Sequence, residues 1–153
     1  MEASLHSLGF PTAGDIARLH PTLPVKGYWI KADDTSDSSP LHVRYRSASS
    51  PLPTASPESI IQPHIEGECV KFYGVSGTGF HFSPNTLPPH TAQRLFSMAD
   101  ALADEMHLDI YGGDAILTPH EEICIIDLND FPSFSSCRRE AAAAIASKLT
   151  PPN

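Results

Sequence analysis

The chain is poor in basic residues, has only three cysteines and one tryptophan, and contains no long apolar run. Ten Lys and Arg stand against 18 Asp and Glu in 153 residues, a formal charge of −8. Duplex nucleic acid and anionic membrane surfaces are held by clustered Lys and Arg that release counterions. Here the basic residues are scattered, so neither nucleic acid nor membrane is an expected partner. The longest apolar runs fall far short of the roughly 20 residues that cross a bilayer. No basic segment followed by an apolar stretch opens the sequence, and a cytoplasmic location is expected. Cys69, Cys124 and Cys137 are odd in number and widely spaced, which speaks against a disulfide framework or a zinc site. Reduced, packed thiols are expected. The eight His show neither HxH nor HxxxH spacing, so a His-based metal centre is not expected.

What is present is a hydrophobic content of 41%, enough for one domain with a real core. Residues 1–26 carry Pro11, Pro21 and Pro24 without sustained periodicity and read as a lead-in segment, with a short helix around Asp15–His20. Tyr28 to Lys31, His42 to Tyr45 and Ser59 to Ile65 read as strands separated by Ser-, Pro- and Asp-rich loops. Cys69 to Val75 and Gly79 to Phe82 form a hairpin around Ser76-Gly77-Thr78. From Thr91 to His107, Leu95, Met98, Ala99, Leu102, Ala103 and Met106 recur at helical spacing and define one buried face. Strands follow at Tyr111 to Leu117 and Ile123 to Leu128. An Ala-rich helix from Ser136 to Leu149 closes the chain, with Ala141, Ala144, Ile145 and Leu149 expected to face a sheet. This order predicts an α+β layered architecture with largely antiparallel sheets rather than a parallel dinucleotide fold.

One constellation points to chemistry. In Ile125-Ile126-Asp127-Leu128-Asn129, the two-residue period of a strand sends Asp127 and Asn129 to one face. A turn centred on His120 and Glu121 places Asp114 directly opposite Asp127. Facing carboxylates destabilise a sheet by a few tenths to about 1 kcal/mol unless something offsets the repulsion. A hard divalent cation does so, because Mg²⁺ prefers carboxylate, carbonyl and phosphate oxygens. The alternative is that Asp127 and Asn129 end a strand before a turn, with Asp114 solvated beside Gly112-Gly113.

The residues also resemble a family. Gly113-Asp114-Ala115-Ile116 followed by Ile125 to Phe134 is similar to the metal-binding end of ATP-grasp proteins, where G-x-D precedes a D-x-N strand. Ser59 to Gly67 leading into Val70 to Val75 resembles the same family's adenine-side strand and its phosphate-contacting lysine, and Tyr28-Trp29-Ile30-Lys31 its first lysine strand. The likeness runs over residues 25–149 and is nearest to uncharacterised bacterial ATP-grasp proteins, more distantly to the inositol phosphate kinase and carboxylate-amine ligase type. It implies an ATP-grasp fold of two small α+β subdomains, the smaller over 27–67 and the larger, with the metal site, over 68–150.

It also implies ATP and Mg²⁺ as cofactors. Lys31 and Lys71 would contact phosphates, and Gln62, Pro63, His64 and Ile65 would hold the adenine. Asp114, Asp127 and Asn129 would bind one or two Mg²⁺ ions. Apart from the resemblance, Arg138 and Arg139 follow the Phe131 to Phe134 turn, a place from which they would hold an anionic acceptor near the metal, the alternative being a solvated helix start. Lys71 and Arg138 are the expected catalytic residues. Two functions stay open at this point. One is an ATP-dependent ligase or kinase that activates an unknown small-molecule acceptor. The other is a truncated, non-catalytic nucleotide-binding or partner-associated module. On either reading a separate chain is a candidate partner, supplying the family's N-terminal domain. Two departures stand out: the stretch between Lys31 and Gln62 has no glycine, and Pro63 brings no N–H to the adenine side, so that His64 or Ile65 would have to donate instead.

Overall fold

The structure, a computed structural model, describes residues 1–19, 26–32, 43–50 and 59–150. Among the described residues eleven elements follow in the order α1 (Glu2–Ser7), α2 (Ala13–Leu19), β1 (Gly27–Ala32), β2 (Val43–Ser47), β3 (Ser59–Pro63), β4 (Glu68–Val75), β5 (Phe80–Phe82), α3 (Pro89–Glu105), β6 (Ile110–Leu117), β7 (Ile123–Asp130) and α4 (Arg138–Leu149). They form two compact units, residues 13–66 and residues 1–12 with 67–153. The architecture is α+β with an antiparallel sheet in each, as expected. His20 and His42, the linkers 33–42 and 51–58 and most of the glycine-free stretch lie outside the described residues.

The lead-in reading of residues 1–26 needs correction. Its first part is a helix, α1, whose Leu5 is fully buried in the core of the larger unit, with Met1, Leu8 and Phe10 packed around it. Its second part, α2, is the short helix expected around Asp15–His20; it belongs to the smaller unit, where Ala13 and Ile16 are buried. A helix of six residues such as α1 shows too few turns for a periodic signal, and is made by packing rather than by propensity.

The larger unit is built on a sheet ordered β5-β4-β6-β7. On one face, α3 seats Leu95, Met98, Ala99, Leu102 and Ala103 against Val70, Phe72, Tyr111, Ala115, Ile123 and Ile125. Each large apolar side chain so buried contributes about 1.5–3 kcal/mol. Pro89 opens α3, where a missing N–H costs nothing. The helix ends at Glu105, and two residues on His107 takes φ +57° while the Leu108 N–H returns to the Ala103 carbonyl.

On the opposite face α4 covers one end of the sheet, bringing Cys137 and Ala141, with Ile145, against Tyr73, Phe134, Phe80, Phe82 and Ile110. Leu149, expected on this face, is instead 78% exposed at the last turn. Cys124 and Cys137 are buried thiols, whereas Cys69, expected to be packed, is exposed. Burial pushes the Cys137 and Cys69 thiols above their ordinary range, and Asp114 raises Cys69 further.

The centre of the sheet pairs aromatic rings with glycines. Phe72 lies across from Gly113, Tyr73 from Gly112, and Tyr111 from Gly74. A Cβ on Gly74 would stand 2.2 Å from the Tyr111 ring, so the glycine makes room for that side chain. Tyr111 is fully buried and its hydroxyl donates to Asp100, whose other carboxylate oxygen meets His81 Nε2 at 2.8 Å.

Burial first, then the hydrogen bond to Asp100, raise the Tyr111 phenol well above its ordinary range. A group held protonated in the folded state contributes its stability fully below the unfolded tyrosine pKa near 10, and loses it as pH rises beyond that value. Chemical denaturation at pH 8 to 11.5 should therefore show stability falling above pH 10, by up to about 1.4 kcal/mol per pH unit from this residue. Tyr111→Phe should cost about 1 kcal/mol at pH 8 for the lost hydrogen bond and show a shallower alkaline fall. Parallel pH profiles for the two proteins would refute the assignment.

The smaller unit's sheet is ordered β2-β1-β3. Trp29 on β1 is the register partner of Tyr45 on β2 and Gln62 on β3, so the three share a face. Gly27 allows this arrangement, because a Cβ there would lie 2.5 Å from the Tyr45 ring.

Candidate phosphate and metal site

Strand register places three charged residues in a row across the larger unit. Lys71 on β4 is the partner of Asp114 on β6, and Asp114 is the partner of Asp127 on β7. The row lies on the face that also carries Tyr73, beyond the part covered by α4, and Lys71 is exposed. Asn129, two residues from Asp127 on the same strand, donates its Nδ2 to Asp127 Oδ2 at 2.7 Å. Lys71 Nζ donates to Asp114 Oδ1 at 2.7 Å. That bond raises the lysine's pKa, with burial opposing it.

The facing of Asp114 and Asp127 was expected, but the structure reaches it by a different route. The hairpin loop runs from Thr118 to Glu122, closed by Thr118 N–H to the Glu122 carbonyl at 3.0 Å and by Thr118 Oγ1, which accepts from the Glu122 and His120 N–H groups. Leu117 then pairs with Ile123, so the loop is centred on His120 alone, half a residue earlier than expected. An uninterrupted ladder from there would set Asp114 opposite Ile126. A β-bulge intervenes: Ala115 pairs with Ile125 and Asp114 with Asp127, leaving Ile126 as the extra residue. The bulge thus turns Asp127 toward Asp114.

Two further residues, not singled out from the sequence, hold Lys71 in place. Its backbone N–H donates to Asn85 Oδ1 at 3.0 Å, and its carbonyl accepts from Ser83 Oγ at 2.7 Å. β5 ends at Phe82 and pairs only with Tyr73 to Val75, so these side chains satisfy main-chain groups beyond the end of the ladder. The Ser-Pro-Asn turn after β5 was the available signal.

The other expected site residues are distributed as follows. Arg138 is the exposed first residue of α4 and makes no ion pair with Asp114 or Asp127. In the smaller unit, Lys31 pairs with Val43 and Ile60, and Gln62 is buried. Pro63 ends β3, an edge strand, where a missing N–H is tolerated. The His64 N–H, expected as one of two adenine donors, instead bonds the Gly27 carbonyl at 2.9 Å. Its ring accepts from Trp29 Nε1 at 3.1 Å and meets Glu66 at 3.3 Å. Ile65, which is buried, is the remaining N–H in the expected pair.

The donors at the row are hard oxygens, two carboxylates and an amide, which suit Mg²⁺. Among the described residues no group of three His, Cys, Asp or Glu is disposed to hold a metal ion. By their chemistry Asp114, Asp127 and Asn129 are too few to cage a cation by protein alone; the donor set suits one whose other ligands are phosphate oxygens and water. Among the described residues, no helix is long and apolar enough to cross a membrane.

No family model matches the sequence, and no curated protein matches it. Solved structures do. The D-alanine-D-alanine ligase of Coxiella burnetii superposes with a TM-score of 0.63 at 14% identity, over 92% of this chain and 51% of that one. The ATP-grasp ligase PsnB, in complex with a minimal precursor, Mg and ADP, gives 0.60 at 15% over 97% and 57%. The ADP complex of PurK, the N5-carboxyaminoimidazole ribonucleotide synthetase, gives 0.59 at 15% over 88% and 44%. The chain spans about half the length of the structures it matches. It has the ATP-grasp fold, as its motifs led one to expect.

Proposed function

We propose that the protein binds Mg-ATP and uses it, as a ligase or small-molecule kinase, to activate an acceptor by phosphoryl transfer. The observation that carries this reading is the row Lys71, Asp114, Asp127 on the open part of a sheet whose fold is shared with ATP-using ligases. Phosphoryl transfer needs little covalent chemistry from a protein; it needs positioning and neutralisation of charge on the γ-phosphate oxygens. Lys71 supplies a point charge for a phosphate. Asp114, Asp127 and Asn129 would hold Mg²⁺, which when bound neutralises phosphate charge. The complex of PsnB with Mg and ADP supports this pairing of nucleotide and metal in the fold. On the adenine side, Gln62 to Ile65 keep the role the resemblance implies, with Ile65 as the donor because the His64 N–H is engaged.

Calorimetric titration of the metal-free protein with ATP, with and without Mg²⁺, tests the reading. Micromolar binding that requires Mg²⁺ is expected, followed by ADP release when the right acceptor is supplied. Lys71→Ala should weaken ATP at least tenfold and leave adenosine within about twofold, because a phosphate contact to a charged donor is worth roughly 1.5–3 kcal/mol. Equal losses for ATP and adenosine would remove Lys71 from the phosphates. Absence of any nucleotide binding would sink the proposal and favour a module without nucleotide chemistry.

A further inference from the structure

Lys71 does more in this structure than wait for a phosphate. It neutralises Asp114 directly, at 2.7 Å, while Asn129 donates to Asp127 at 2.7 Å. Both carboxylates thus already have a partner within the protein, one a full positive charge and the other an amide. We propose that Lys71 is an internal counterion that occupies the cation's place on Asp114, so that a divalent cation binds well only together with a polyphosphate. This rests on the reading of the site as one for Mg-ATP.

The argument is electrostatic. The row carries two negative charges and one positive, and no third acidic ligand is at hand among the described residues. A cation arriving alone must displace an ammonium that is already bonded, and gains in exchange only two carboxylates and an amide. A polyphosphate changes both sides of this exchange. Its oxygens give the Lys71 ammonium another charged acceptor, freeing Asp114, and they complete the coordination that the protein leaves unfilled.

The side chains allow the movement. Lys71 is half exposed, with a side-chain exposure of 49%, and Ser83 and Asn85 fix its backbone rather than its ammonium. Asp114 stays on a central strand between β4 and β7 while the lysine turns away. Because binding free energies are reciprocal, the cation should tighten the nucleotide by the same factor as the nucleotide tightens the cation, typically 5- to 150-fold for such coupling.

The test is Mn²⁺ binding, followed by electron paramagnetic resonance, to the full chain without nucleotide. Wild type should bind Mn²⁺ weakly, and Lys71→Met should bind it at least fivefold more tightly. Adding Asp114→Asn to Lys71→Met should abolish the gain. Lys71→Gln, which keeps polarity without charge, should behave like Lys71→Met, and circular dichroism confirms that each variant is folded. Mn²⁺ affinity unchanged or weakened in both Lys71 variants, with Mn²⁺ still bound in the presence of ATP, would overturn the counterion role and leave the Mg-ATP reading standing. No Mn²⁺ binding in any folded variant even with ATP would overturn both.

Discussion

Asp127→Asn is expected to weaken Mg-dependent ATP binding at least 100-fold while leaving the protein as stable as wild type or slightly more so. The two effects have opposite signs because the same carboxylate plays two parts. In the free protein it faces Asp114 across the β6-β7 ladder, an arrangement that costs up to about 1 kcal/mol and that the Lys71 ammonium on Asp114 offsets in part. An amide in its place removes that repulsion and can still accept the Asn129 Nδ2 hydrogen bond. Toward a divalent cation, however, the substitution removes one of only two negative ligands in the row. Thermal unfolding and ATP titration with and without Mg²⁺, run on one preparation, separate the two parts. A variant that binds Mg-ATP as wild type does would remove Asp127 from the metal site. A variant that loses several kcal/mol would show its charge to be structural.

Parts of this were legible from residues alone, for reasons that differ from element to element. Helix α3 was readable because five buried apolar positions repeat at one spacing over 17 residues, a pattern no strand can imitate. The strands were readable within a residue or two. Their neighbours were not: β4 adjoins β6 across an intervening hairpin and helix, and nothing local in Lys71 announces that Asp114 will lie beside it. The family resemblance suggested a phosphate role for Lys71, but only the register brings its ammonium onto the carboxylate. The bulge at Ile126 left no mark either, since Ile125-Ile126 reads as an ordinary strand pair and the extra residue shows only when the partner strand is counted.

The adenine side fared differently, because backbone donors depend on neighbours. The His64 N–H was a candidate until β1 took it. Arg138 was proposed from its place in the sequence near the metal strand. The structure makes it the exposed start of a helix whose apolar face packs at the Tyr73 end of the sheet, with no ion pair drawing it to the row. Leu149 failed for a simpler reason: the helical period continued, but the sheet beneath it did not.

The largest loss of stability is expected from Gly113→Val, about 3–4 kcal/mol or more, the range in which overpacking meets backbone that cannot yield. Gly113 lies on the central strand β6, between Phe72 and Leu128 in register and beside Asp114. A Cβ added there would stand 2.1 Å from the Asp127 carbonyl oxygen and 2.9 Å from the Phe72 ring. The ring could shift by a few tenths of an ångström, but the carbonyl is main chain, drawn close where the bulge bends β7. Relief therefore requires β7 to move away from β6, next to the two carboxylates whose spacing the site depends on. Gly79 is the control: it sits in the β4-β5 turn at φ +71° with nothing within 4 Å of an added Cβ, so Gly79→Ala should cost only about 1 kcal/mol and leave nucleotide binding alone. Gly113→Ala provides a milder variant that still meets the carbonyl, and if it folds it should lose Mg-ATP affinity beyond what its stability explains. Urea unfolding of the three variants alongside ATP titration decides the matter. A Gly113→Ala protein as stable and as well bound as wild type would mean that β6 and β7 do not approach as closely as this register requires.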